Sequence, residues 1–335
     1  MELTLHTSFP DELREEWNLL LDETATHVPF LRHEYLQVWW ETRGGGEWPR
    51  AELAVVTARE GQRLVGVAPL FAAEWQDRRA LLLLGSIEVS DYLDLLARPE
   101  DVPALVGALL PFLAEHLDWE ALELYNLPDS SPSLPALKAA AARLGWQYAE
   151  AVEQHAPFIQ LPGDWEEYLA GIDTKQRHEI RRKLRRAEGA EVPVRWYQVC
   201  GQDGLDNAMD DFIALMRQEE AKDAFLSEAM VDHMRRTARC ALEEGCLSLA
   251  FLEVDGHKAA GYLSFDYLNR LWVYNSGLNY ADGYYSPGWV LLSYLIQWAI
   301  ENGYEELDFM RGDEEYKYRF GATNRDVMRA TITRG

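Results

Sequence analysis

Between residues 246 and 277 the sequence reads as three strands in succession, 246–254, 258–267 and 270–277. Asp255-Gly256-His257 separates the first pair and Leu268-Asn269 the second. Links this short join only antiparallel neighbours, because a parallel crossover needs roughly a dozen residues. The three strands therefore form a meander, and its apolar surface must be covered by helices. The sequence supplies them. Apolar residues recur at helical spacing over 205–218 and 228–244, and an almost wholly apolar helix follows at 287–302. Strands at 305–310 and 326–333 complete the chain.

The first half runs through a similar order. Helices are expected at 10–21 and 32–42, then strands at 51–58 and 63–71 across the turn Arg59-Glu60-Gly61-Gln62. Short strands at 80–84 and 92–96, a helix at 102–117, a strand at 121–125 and a helix at 133–144 follow. Strands at 146–152 and 158–161 lead to Pro162-Gly163. Beyond it, Asp164 is a candidate N-cap for a helix at 165–170, and Thr174 opens a basic helix that ends near Gly189, ahead of a strand at 192–199. At 335 residues the chain is long for one domain, and about 150 residues per domain suggests two. The expectation is a duplicated α+β architecture over residues 1–155 and 156–335, each domain a mixed, mostly antiparallel sheet flanked by helices.

A net charge of −24 argues against a general nucleic-acid surface, so an anionic ligand needs a local basic site. One exists: residues 175–186 hold seven Lys or Arg in twelve positions. Ile180, Leu184 and Ala187 give that helix one narrow apolar stripe, and its other faces are almost wholly cationic. A phosphate-bearing ligand such as a nucleotide-sugar, CoA or a tRNA end would suit such a face, and so would this protein's own acidic surface. Three cysteines with no metal or disulfide pattern, and no leader pattern at the N-terminus, suit a reducing cytoplasm. The apolar run 289–300 is too short to span a bilayer. No histidine has a partner at useful spacing, so no metal site is expected.

Two further segments carry chemistry. Ser286-Pro287-Gly288 opens the apolar helix: Ser286 is a candidate cap, Pro287 suits the first turn and Gly288 permits close approach. Such a helix start offers free N–H groups to an anion. Downstream, the strand ending at Met310 gives way to Arg311-Gly-Asp-Glu-Glu-Tyr-Lys-Tyr-Arg-Phe320, a charged cluster centred on Lys317.

Read together, Tyr284-Tyr-Ser-Pro-Gly-Trp289 and Asp308-Phe-Met-Arg-Gly-Asp-Glu-Glu-Tyr-Lys-Tyr-Arg-Phe320 resemble the GNAT acyltransferase superfamily. More narrowly they are similar to its two-domain branch of CelD-like proteins and Fem (FemAB-like) peptidyltransferases. The likeness is best over residues 164–335 and weaker in the first half, where Ser90-Asp-Tyr-Leu-Asp94 carries it. It implies two GNAT-like domains in tandem, with a ligand channel between or within them, and an enzyme that transfers acyl groups. By this resemblance Gly283, Ser286, Pro287 and Gly288 match the turn that holds an acyl-CoA pyrophosphate, although no basic residue precedes them at the usual spacing. Lys317 matches the lysine of a Phe-Lys or Tyr-Lys pair near the reacting carbonyl, where a cation steadies a developing oxyanion. Asp91 resembles the first-domain acid that would take a proton, and Asp308 is a second candidate catalytic acid. The basic helix resembles a segment associated with the substrate in Fem-like relatives, which makes Arg177, Arg181 and Arg185 candidates for contact with the anionic substrate, and Asp94, Arg311 and Tyr316 join them as candidate substrate contacts.

The implied donor is acetyl-CoA or another acyl-CoA, with no metal, and the implied acceptor an amine or sugar-linked group on a small molecule or glycan precursor. Two alternatives stay open: an aminoacyl-tRNA donor, disfavoured by the acidic charge, and a non-catalytic scaffold that binds an anionic glycan precursor.

Overall fold

The computed structural model describes residues 1–334. The chain divides into two compact units, residues 1–155 with 325–335, and residues 156–324. Residues 325–334, expected at the end of the second domain, thus cluster with the first.

The first unit contains β1 (Glu2–His6), α1 (Arg14–Leu21), α2 (His33–Thr42), β2 (Glu52–Leu53), β3 (Val55–Glu60), β4 (Arg63–Ala68), β5 (Leu70–Trp75), β6 (Arg78–Leu83) and β7 (Leu96–Ala97). Next come α3 (Val102–His116), β8 (Ala121–Pro128), α4 (Ser133–Leu144) and the start of β9 (Gln147–Gln160). The expected strand 63–71 is two strands, because Pro69 interrupts the ladder and β5 turns to a different sheet. Strands β1-β3-β4-β7 form one antiparallel sheet. The other runs β2-β5-β6-β8, with β6 and β8 parallel, and ends on the chain's closing strand Thr323–Thr333, antiparallel to β8. Glu123 on β8 explains why that last strand belongs here. Its carboxylate is wholly buried, accepts from Arg329 Nη2 at 3.0 Å and Thr331 Oγ1 at 2.7 Å on the closing strand, and from Arg78 Nη2 at 3.0 Å on β6. A buried carboxylate with two guanidinium partners ties three strands together.

The second unit contains α5 (Trp165–Gly171), α6 (Thr174–Glu188), β10 (Val194–Gln198), α7 (Leu205–Met216), α8 (Glu220–Phe225) and α9 (Glu228–Glu243). Then follow β11 (Leu247–Val254), β12 (His257–Tyr267), β13 (Arg270–Leu278), α10 (Pro287–Glu301), β14 (Glu306–Asp308) and α11 (Glu315–Arg319). Its sheet runs β10-β11-β12-β13-β14-β9, all antiparallel except the β13–β14 pair. Asp255-Gly256 and Leu268-Asn269 all take positive φ, the two-residue turn that matches the twist of antiparallel strands. Asp164 caps α5 as expected, accepting from Glu166 N at 2.9 Å and Glu167 N at 3.0 Å. Helices α5, α6 and α10 share one apolar core with the sheet, built on Ile180, Leu184, Val290, Leu291, Leu295 and Leu307. Helices α7 and α9 pack together and cover β11–β13.

Candidate active site

The cleft in the second unit begins where two parallel strands part. β13 and β14 pair over only three positions, Arg270–Glu306 to Trp272–Asp308. Beyond them β13 continues to Leu278, and its register with β12 slips between Leu263 and Ser264. β14 stops instead, because Met310 takes a left-handed φ of 62° and turns the chain away. A wedge opens between the strands, bordered by the 275–278 edge of β13, where Ser276 N is held by Asn275 Oδ1 at 3.0 Å and Ser276 O by Lys222. The start of α10 sits at its head. Gly288 makes this approach possible: a Cβ there would meet Leu278 Cδ2 at 2.8 Å.

Ser286 does not cap α10. It holds φ 52° and ψ 54°, and its side chain makes no capping bond; its carbonyl accepts instead from Trp289 N and Val290 N at 3.0 and 3.1 Å. The left-handed turn steers the hydroxyl away from the first-turn N–H groups, which corrects the expected cap. Pro287 is buried at the first helical position, and Gly283 lies exposed in the short helix Tyr280–Tyr285.

The basic helix meets this cleft with residues other than those expected. At about 100° per residue, Lys183 and Arg177 lie on opposite flanks of the Ile180–Leu184–Ala187 stripe. The Arg177 flank faces α5: Arg177 Nη1 reaches Leu169 O at 3.4 Å and Arg181 pairs with Glu166. Arg185 is exposed and bonds the Arg181 carbonyl. The Lys183 flank faces the head of α10. Lys183 Nζ lies 3.5 Å from the Trp289 ring centroid, and Arg186 Nη1 donates to Tyr284 O at 2.8 Å. Burial holds Lys183 below the ordinary lysine value, opposed by Glu179 and helped by the positive charge of Arg182, Arg319 and Arg186. A cation desolvated among cations gains from an anion. Lys183 and Arg186 thus supply at the turn the positive charge that its own sequence lacks. The signal was in the sequence, as the flanking positions of the apolar stripe, but the flank that meets α10 is decided by packing.

Lys317 is not presented to a substrate. It is 2% exposed, and its ammonium donates to the carbonyls of Met310 (3.3 Å), Arg311 (2.9 Å) and Gly312 (3.0 Å) and pairs with Glu314 at 2.8 Å. Three protons face four acceptors, leaving none for an oxyanion. Lys317, expected as a catalytic residue, clasps the turn after β14 in this arrangement. Asp308, 0% exposed, likewise accepts from Met310 N at 2.7 Å and shapes the same turn. Arg311 stands at the turn, its carbonyl held by Lys317. Tyr316 is different: it packs edge-on against Phe309, and burial, with Tyr262, Glu314 and Glu219 adding negative character, pushes its phenol well above the usual value. It keeps its proton at physiological pH. Glu219, missed in the sequence, follows α7, pairs with Lys222 at 3.2 Å and lies close enough for its charge to act on Tyr280 and Tyr316. Lys222 in turn donates to Ser276 O at 2.8 Å and so fastens α8 to the β13 edge.

The first-unit acids have their own setting. Asp94 is buried, accepts from Thr26 Oγ1 at 2.6 Å, Ser133 Oγ at 2.5 Å and its own neighbour Leu95 N at 2.8 Å, and burial raises its pKa against the pull of Ser131, Ser133 and Thr26. Expected as a substrate contact, it braces the first unit through these bonds. Asp91 is half-buried in the loop after β6. That loop is pinned by Trp48 Nε1 to Ser86 O at 2.7 Å, Asn126 Nδ2 to Ile87 O and Ser90 O, and Tyr35 OH to Val89 O.

Among the described residues no three His, Cys, Asp or Glu side chains are grouped to hold a metal ion, and no helix is long and apolar enough to cross a membrane.

A family model described as an acetyltransferase (GNAT) domain matches residues 174–318. No curated protein matches the sequence significantly. Among solved structures, the chain is similar to FemX, with a TM-score of 0.68 at 10% identity, covering 98% of this chain and 97% of that one. It is also similar to the C-terminal domain of a putative lysylphosphatidylglycerol synthetase from Agrobacterium fabrum, with a TM-score of 0.55 at 12% identity over 97% and 92% of the two chains. A tandem GNAT protein from the clavulanic acid biosynthesis pathway gives a TM-score of 0.50 at 15% identity over 100% and 99%. At these identities the likeness is one of fold.

Proposed function

We propose that this chain, whose residues 174–318 form a GNAT acetyltransferase domain within a tandem GNAT fold, moves an acyl group from acyl-CoA directly to an amine or sugar-linked acceptor. The observation that carries the reading is the wedge between β13 and β14 with the head of α10, Lys183 and Arg186 around it. The donor's phosphates would sit against the first-turn N–H groups of α10, steadied by the two cations. Its extended arm would lie along the β13 edge near Ser276, and the thioester would reach the neighbourhood of Tyr316.

Transfer then needs no protein nucleophile. The acceptor nitrogen attacks the thioester carbonyl carbon, the C–N bond forms and the C–S bond breaks. Tyr316 donates a hydrogen bond to the departing thiolate, which leaves as the thiol with a proton from solvent, and Glu219, whose charge reaches Tyr316, takes the proton lost by the nitrogen. Holding donor and acceptor together supplies much of the acceleration.

The resemblance to Fem enzymes supports a second reading, an aminoacyl-tRNA donor, and the exposed Arg182 and Arg185 of α6 favour it. The test is calorimetry of the full chain with acetyl-CoA and longer acyl-CoAs, followed by thiol release with a panel of amines. Lys183→Gln with Arg186→Gln should weaken donor binding about 100-fold or more, the loss of two charge-assisted contacts. Absence of binding to every CoA thioester, with binding to aminoacylated RNA, would replace the first reading by the second.

A further inference from the structure

We infer that Tyr284 and Arg186 form a stacking platform for the adenine base of the acyl donor. The inference rests on the donor reading above and adds the part of the donor that the pyrophosphate contacts leave unplaced.

Tyr284 is 68% exposed and Tyr280, four residues earlier on the same short helix, 58%. Two large exposed rings on one short segment are apolar surface in want of a cover. Tyr284 is nevertheless held. The Arg186 guanidinium lies 4.9 Å from its ring centroid and also bonds its carbonyl, while Tyr285 meets it edge-on at 5.0 Å. The segment is fixed at its start, where Asn279 Oδ1 accepts from Ala281 N at 3.1 Å. It is fixed again where the Asp282 carboxylate lies 2.9 Å from His257 Nε2 on the β11–β12 turn. The ring is a fixed platform backed by a cation, the combination on which nucleobases stack without needing their edges read.

Its position selects the base. Tyr284 lies three residues before Pro287, so a base on its face leaves the attached phosphates at the head of α10, where Lys183 waits over Trp289. Both donor classes with that chemistry carry the same base next to phosphate: CoA ends in an adenosine nucleotide, and so does the 3′ end of a tRNA.

The test is calorimetry on the full chain with acetyl-CoA, with 4′-phosphopantetheine, which is the same arm without adenosine, and with an RNA minihelix ending in CCA. Tyr284→Ala should weaken acetyl-CoA binding about tenfold or more and leave 4′-phosphopantetheine unchanged, while Tyr284→Trp should restore acetyl-CoA. If the minihelix binds instead, the same Tyr284 dependence, lost when the terminal adenosine is removed, identifies tRNA as the source of the base. Wild-type binding with no effect of Tyr284→Ala, or an equal effect on 4′-phosphopantetheine, overturns the platform while the donor reading stands. Failure of the wild type to bind any of the three overturns the donor reading, and the platform with it.

Discussion

Replacing Lys317 by Met separates a clasp from a catalyst. The methionine keeps the length and apolar bulk of the stem but removes the ammonium that gathers the Met310, Arg311 and Gly312 carbonyls. Hydrogen bonds to a charged donor contribute about 1.5–3 kcal/mol each, and a buried acceptor left alone costs about 1–3 kcal/mol. Water reaches the half-exposed Arg311 and Gly312 and replaces part of this, and the exposed Glu314 adds little through its ion pair. A loss of about 3 kcal/mol remains. Urea denaturation followed by tryptophan fluorescence measures it, because Trp289 packs at 4.7 Å on Phe320, the residue that ends α11. Activity should fall together with stability, and donor affinity should fall with it, since the turn that shapes the wedge loosens. A Lys317→Met protein with the wild-type midpoint and slope but no turnover would refute the clasp and return Lys317 to the reacting carbonyl.

Three other perturbations test the frame around the site. Gly277→Ala places a Cβ 2.7 Å from Leu215 Cβ and from Met216 N, a backbone atom that cannot step aside, so thermal denaturation should show a loss of about 2 kcal/mol or more. Glu123→Ala leaves Arg78 and Arg329 facing each other without a counter-charge, and should cost about 3–5 kcal/mol in chemical denaturation. Glu47 is pushed up to about 7, first by burial and also by Glu88, against the pull of the Ile87 and Glu88 N–H groups and Trp48. A carboxyl raised in the fold keeps its full contribution below its unfolded value and loses it as pH climbs through the folded one. Glu47→Gln should therefore be more stable than wild type at about pH 8, by at most about 3 kcal/mol, with the difference gone by about pH 4.5. A difference that grows on acidification would contradict the assignment.

What the sequence disclosed follows the range of the interactions involved. The β11–β12–β13 meander was readable because Asp255-Gly256 and Leu268-Asn269 leave only one way to turn, and α5 because Asp164 bonds amides two and three residues away. β9 was expected as two strands, 146–152 and 158–161, yet it runs unbroken from Gln147 to Gln160, with Pro157 inside it. Proline removes one donor, and its carbonyl still accepts from Phe309 N at 2.9 Å. The closing strand was found, but its sheet was not, since Glu123 and Arg329 stand 206 positions apart and no local pattern links them. The same limit governs α6. Its stripe marks the buried face, while the choice between the Arg177 flank and the Lys183 flank is made by α10, far along the chain.

The tail motif shows why charge density is an ambiguous sign of chemistry. After β14 the chain must leave the sheet abruptly so that the wedge can open, and the left-handed Met310 and Gly312 (φ 62° and 114°) turn three consecutive carbonyls out of the ladder. Carbonyls without a strand partner need a donor, and a single ammonium satisfies all three where no neutral side chain could. Glu314 then offsets the charge this brings. Lysine and acids are therefore what such a turn requires even if they never touch a substrate. Lys183 over Trp289 and Arg186 over Tyr284 differ from Lys317: their partners are aromatic faces and one carbonyl, so their remaining donors are not consumed by the fold.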